Sequence, residues 1–156
     1  MAEALFVTLV ALYAIVAVKV DQWFTISRLG FKSYTPQLFL NNPRIYQVTR
    51  MVLFGAAGIA LFVTTAIPWY FGVIALAVVW LGAFWIGRRA AFNTYRQIHR
   101  EMIEYEDAVK VSDPSEYARI LDGVAPSARR AELEEGARRT DQELVELVAQ
   151  SIKWGI

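Results

Sequence analysis

The chain has 156 residues, of which 56% are hydrophobic, above the roughly 45 to 50% usual for soluble domains. Its formal charge of +1 is a near cancellation, because residues 1–87 carry five basic and two acidic side chains and residues 88–156 carry eleven and thirteen. No basic domain is left to neutralise a run of phosphates, which argues against nucleic acid as a partner, and the absence of cysteine excludes disulfide frameworks, thiolate metal centres, iron–sulfur clusters and cysteine nucleophiles.

The first element in chain order is apolar. Ala4 to Val18 is uncharged over fifteen residues, about 22 Å as helix, and Lys19 closes it by snorkelling toward the headgroups. Met1 to Leu5 has no positive n-region and no small-x-small site follows, so the segment reads as a span over about residues 4–20 and not as a cleavable signal. The helix is expected to continue through Trp23 and Phe24 and to stop at Gly30, whose access to positive φ suits a C-terminal cap. The connection over residues 21–50 interleaves Trp23, Phe24, Phe31, Tyr34 and Phe39 with Arg28 and Lys32, the composition of an interfacial collar on an anionic membrane face.

Arg50 and Arg88 enclose 37 residues without any Asp, Glu, Lys, Arg or His. As one helix these measure about 55 Å against a hydrocarbon core of about 30 Å, so a single crossing cannot use them. Pro68, preceded by Thr64, Thr65 and Ala66, divides the run at the first turn of a new helix. Two spans in a tight hairpin follow, about 51–67 and 68–87, the first of them opened by the N-cap and first-turn pair Asn42 and Pro43. Basic residues fill the first connection (Lys19, Arg28, Lys32, Arg44 and Arg50 against Asp21 alone) and the flank of the third span (Arg88, Arg89, Arg96, Arg100), while the turn from Thr64 to Tyr70 is uncharged. The positive-inside rule then predicts a multi-pass protein of the cell (inner) membrane, its N-terminus outside and its C-terminus cytoplasmic. Trp69, Tyr70 and Phe71 suit the outer aromatic belt, Trp23 and Trp85 the inner one, and Trp80 falls mid-span as a packing residue.

No Pro or Gly occurs between Arg88 and Asp113, so the third helix is expected to run on to about Lys110 as a cytoplasmic extension. Phe92, Tyr95, His99, Met102, Tyr105 or Glu106, and Val109 recur every three or four residues, the seam of a helix that packs on another. Asp113, Pro114, Ser115 and Glu116 start a short helix that Gly123 closes, Pro126 starts another that Gly136 weakens, and Thr140 with Glu143 forms a capping box. Beyond that box Leu144, Leu147, Val148, Ser151 and Ile152 line one face of the last helix. The tail from Val111 has 46 residues and only about thirteen large apolar ones, fewer than an unstapled core of that size needs. It is expected to dock on a partner protein, on the cytoplasmic loop or on a second copy of the chain, through Phe92, Tyr95, Met102, Val109, Leu144, Leu147, Val148 and Ile152.

The chain offers little for chemistry. No ionisable residue sits at the depth of a span, which argues against a proton pump or ion relay. His99, the only histidine, has Glu101, Glu104 and Glu106 nearby, yet neither Glu-x-x-His nor His-Glu-x-x-His occurs, and it reads as a packed or solvated side chain. Arg100 with Glu104, Arg130 with Glu134, and Glu135 with Arg139 have the spacing of a solvated helix surface. No catalytic, cofactor-binding or metal-ligating residue is assigned. Gly55, Ala56, Gly58 and Ala60 give the second span a small-residue face for close helix packing, within the chain or between subunits.

The sum is an all-α integral membrane protein with three transmembrane helices and a cytoplasmic helical tail, divided into residues 1–87, 88–110 and 111–156. The function these features fit is a non-catalytic accessory subunit of a larger membrane complex, of the kind that respiratory and photosynthetic assemblies contain. Its partners would be other membrane subunits, lipid and a cytoplasmic peripheral subunit. The alternative is a homo-oligomeric small channel or transporter, with Thr64, Thr65 and the small-residue face lining a path.

Overall fold

The computed structural model describes residues 2–36 and 68–153, together with residues 45, 48, 49, 51, 52, 54–56, 58 and 59. Among these residues the fold is all-α, without strands. The chain divides into two compact units, Met1–Ala91 and Phe92–Ile156.

In the first unit, α1 runs over Ala2–Arg28. Its end is decided by Gly30, at φ +98°, where the Phe31 N–H donates to the Ile26 carbonyl at 3.2 Å and the Gly30 N–H to Ser27 at 3.1 Å. That pair of bonds is a Schellman cap, and it satisfies two of the carbonyls a helix end leaves over. A short 3-10 turn follows at Lys32–Tyr34. The buried Thr35 hydroxyl donates to the Trp23 carbonyl at 3.0 Å and ties this turn back onto α1.

The second long helix, α2, spans Trp69–Ser112. Pro68 sits just outside it and offers its carbonyl to the N–H groups of Phe71 and Gly72, the first bonds of the helical ladder. Trp69 to Gly87 carries no charge and measures about 28 Å as helix, close to the hydrocarbon thickness of about 30 Å. Both α1 and α2 are long and apolar enough to cross a membrane. Most of the expected second span, with Thr64 and Thr65, lies outside the described residues; those described between 45 and 59 are helical, and the Phe54 ring packs on Trp80 with centroids 5.2 Å apart.

The two long helices meet at Gly87. A Cβ placed there would stand 2.6 Å from the Val18 carbonyl oxygen and 2.7 Å from Asp21 Cβ, so only glycine permits this approach. Toward the start of α2, Leu76 and Ala83 share one buried cluster with Tyr13 and Ala17 of α1. Because Leu76 precedes Gly87 by about 16 Å of helix, and Tyr13 likewise precedes Val18, the helices run parallel. Parallel neighbours need a long crossover, since a short turn can join only antiparallel ones.

The second unit begins with the part of α2 from Phe92 onward and adds α3 (Pro114–Leu121), α4 (Pro126–Arg138) and α5 (Asp141–Lys153). The start signals act as read. Asp113 Oδ1 accepts from the Ser115 and Glu116 N–H groups at 3.1 Å each, and Asp122 at φ 47° and Gly123 at φ 80° end α3 in left-handed conformations. The Thr140 N–H donates to Glu143 Oε2 at 2.6 Å while the Glu143 N–H donates to Thr140 Oγ1 at 3.4 Å, the reciprocal bonds of a capping box.

Gly87→Ala is expected to lower the stability of the first unit by about 1 to 3 kcal/mol through overpacking. Gly82→Ala, where an added Cβ meets nothing within 4 Å among the described residues, should leave stability level or raise it by up to about 1 kcal/mol through helix propensity. Thermal unfolding of the detergent-solubilised chain, followed by far-UV circular dichroism, checks both; equal melting of the two variants would contradict the assigned contact.

Candidate functional site

The second unit is a clamp of helices laid on the charged half of α2. From one end to the other, Glu106 pairs with Arg129 at 3.1 Å, Asp107 with Arg130 at 2.8 Å, the His99 ring faces Gly136, Arg139 donates to the Tyr95 hydroxyl at 3.1 Å, and Arg96 pairs with Asp141. One partner's number rises as the other's falls, so α4 runs antiparallel to α2. Arg96 Nε also donates to the Arg139 carbonyl at 2.8 Å, which satisfies a backbone acceptor at the end of α4.

Gly136 is what lets α4 lie so close. A Cβ there would collide with the His99 ring, 2.8 Å from its Cγ, and the ring has little room to retreat. It lies against the Tyr95 ring with centroids 4.3 Å apart and the planes tilted by 42°, and its Nδ1 is 2.9 Å from the Tyr95 carbonyl, an acceptor to which that nitrogen donates. The only histidine is therefore a packed side chain at a helix crossing. Among the described residues no group of three or more His, Asp or Glu is arranged to hold a metal ion.

Of the residues expected to dock a partner, Phe92, Tyr95, Leu144 and Val148 are buried within the unit, Met102, Val109 and Leu147 are half-buried, and Ile152 is 54% exposed. The seam of α2 is thus filled by the chain's own tail, an arrangement outside the three expected. The reason is arithmetic of apolar area: residues 111–156 are short of core side chains, and Phe92, Tyr95 and Ile98 supply them. Of the two residues offered at one step of the seam, Glu106 is buried and Tyr105 exposed, and the buried Leu133 was missed. Leu133 and Gly136 lie three apart on one face of α4, a signal that the high charge of that helix obscures.

Of the small-residue face of the second span, only Gly55, Ala56 and Gly58 fall among the described residues. Gly55 and Ala56 are exposed, an added Cβ at Gly55 or Gly58 meets nothing within 4 Å, and Ala60 lies outside the described residues. Asp21, assigned from the sequence to the connection over residues 21–50, lies in α1 and is 1% exposed. It follows Ala17 by four residues and so shares the face of α1 that meets Gly87, a periodicity that the sequence does display. Beside this contact, the Arg28 guanidinium lies over the Phe24 ring at 5.2 Å and that of Arg88 over Phe84 at 5.7 Å.

Burial pushes the Tyr95 phenol up, against the opposing pull of the Arg139 guanidinium. The Asp113 carboxyl is held low by the Ser115 hydroxyl and then by the Glu116 N–H, and that of Glu143 by the Thr140 N–H and then its hydroxyl. Comparison with protein-family models, with curated proteins and with solved structures gives no match to the chain.

Leu144→Ala, at a position with 0% exposure, is expected to cost about 2 to 5 kcal/mol, whereas Val111→Ala, at 85% exposure, should stay within about 0.5 kcal/mol. Chemical denaturation of the intact chain reads the difference, and comparable losses would refute the assigned core. A second expectation concerns acid. A carboxyl whose pKa falls on folding stabilises the fold fully above the ordinary carboxylate range and loses that contribution as pH drops through its folded value. Asp113 and Glu143 both behave so, and stability should therefore decline as pH falls from about 4.5. Asp113→Asn with Glu143→Gln should flatten the slope of melting temperature against pH between about 4.5 and 3; an unchanged slope would show that the caps do not contribute.

Proposed function

We propose that this chain is a non-catalytic membrane anchor: an accessory subunit whose spans pack among larger membrane subunits and whose cytoplasmic helices position a peripheral one. The observation that carries this reading is α2 itself. One helix, Trp69–Ser112, carries both an uncharged segment of bilayer length and, from Phe92 onward, the residues on which the ion-paired helices of the second unit are built.

Three crossings, with the N-terminus outside and the tail in the cytoplasm, are part of the proposal. The parallel run of α1 and α2 supports an odd number of crossings, because the chain must return the length of the pair between them. Charge supports the orientation, since Lys19, Arg28, Lys32, Arg88 and Arg89 gather at the end where Gly87 meets Val18. The exposed Val7, Leu12 and Ile15 of α1 and Ile74, Val78, Leu81 and Trp85 of α2 make up the apolar surface that lipid or a neighbouring subunit would cover.

In cells, the chain should stay with the membrane pellet through alkaline carbonate extraction. With no native cysteine to interfere, Thr65→Cys should react with an impermeant maleimide added from outside and Ser112→Cys only after lysis. Release into the supernatant, or the reverse labelling, would overturn the reading. Purification in mild detergent with mass spectrometry should recover larger membrane subunits alongside the chain. A pure homo-oligomer that carries ion flux in liposomes would replace the anchor with a small channel.

A further inference from the structure

We infer that the inner ends of α1 and α2 form a binding surface for the phosphate headgroups of anionic phospholipids. The inference rests on the membrane reading above and adds a ligand class to it. Among the described residues at this end of the first unit, the charged side chains are Lys19, Asp21, Arg28, Lys32, Arg88 and Arg89. Asp21 is buried, Lys19, Lys32 and Arg89 are exposed, and Arg28 and Arg88 are half-buried. Burial of the one acid leaves a surface of a single sign, complementary to a net-negative headgroup and not to a zwitterionic one.

The arginines share a local design. Each follows an aromatic residue by four positions, Phe24 before Arg28, Phe84 before Arg88 and Trp85 before Arg89, and that spacing puts both on one helix face with the guanidinium a turn nearer the cytosol. In the first two pairs the guanidinium lies over the ring, which holds it by cation–π attraction and reduces the rotamer freedom lost on binding. In the third, Trp85 is 70% exposed, as an indole at the glycerol level of a bilayer would be. A planar guanidinium one turn beyond the ring matches phosphate bidentately. Lys32 stands on the turn that Thr35 fastens to α1, so it too is held near the helix end. The exposed apolar residues just below, Leu81 and Ile86, offer contact to acyl chains that a soluble phosphate lacks.

The test uses the full chain, delipidated in non-ionic detergent and titrated with phosphatidylglycerol or phosphatidylcholine of equal chain length, bound lipid being counted by native mass spectrometry. Phosphatidylglycerol should be retained in excess, and Lys32→Gln and Arg89→Gln should each lower the ratio of the two lipids about fivefold. Arg119→Gln, an exposed position of the second unit, should leave the ratio unchanged, and sn-glycerol 3-phosphate should displace no lipid. Circular dichroism melts establish that the variants remain folded. Equal retention of both lipids, or a ratio indifferent to Lys32 and Arg89, overturns the headgroup surface alone. Displacement by the soluble phosphate overturns the lipid as its source, and a chain that retains neither lipid removes the membrane reading with it.

Discussion

Steric room at two helix crossings governs how this chain packs. At Gly87 the backbone of α1 comes so near α2 that the Val18 carbonyl oxygen and Asp21 Cβ occupy the space any side chain would need. At Gly136 the same is true of the His99 ring against α4. A glycine in a helix costs about 1 kcal/mol relative to alanine, and each of these two offsets that cost by allowing contact that a Cβ would forbid. From the first crossing follow the parallel course of α1 and α2 and the burial of Tyr13, Ala17, Leu76 and Ala83 between them. From the second follows the seating of α4 along the charged half of α2.

The two units solve different physical problems with the same helix. In Met1–Ala91 the buried side chains are mostly apolar or small and the outward ones are large and apolar, the inverse of a water-soluble surface and suited to lipid or to neighbouring spans. In Phe92–Ile156 many outward residues are charged, and arginine–carboxylate pairs link the helices at Arg96 with Asp141, Glu106 with Arg129 and Asp107 with Arg130. Most of those pairs are solvent-exposed and worth little singly. Glu106 with Arg129 differs, because Glu106 is only 6% exposed and leaving it buried without its partner would be costly. The unit is thus specified by one buried pair, two caps and a small apolar centre, which is economical for a sequence so short of large apolar residues.

For function, the arrangement joins a lipid-compatible surface to a folded polar one through a continuous backbone. For the anchoring role proposed above, the charged end of the first unit is the boundary that matters. That boundary is where Asp21 is withdrawn from solvent, where three arginines follow aromatics at helical spacing, and where Lys32 is tethered by Thr35. Under the proposals made above, this positive collar would both orient a span and select among the lipids around it.

The sequence by itself determined the all-α class, the end of α1 at Gly30, the start of α2 next to Pro68, the long continuation of α2 past Arg88 and the caps at Asp113 and Thr140. Each of these depends on local chemistry, on φ freedom, a missing N–H or a side chain reaching its own backbone, and local chemistry is written residue by residue. Only the tertiary structure decided which partner each apolar face takes. Phe92, Tyr95, Leu144 and Val148 were legible as a docking surface, but their occupant was not, because a helical stripe records that it is covered and not by what. Asp21 and Gly87 were equally silent as a pair: their contact joins positions far apart in the chain, and no periodicity within either helix encodes the distance between two helices.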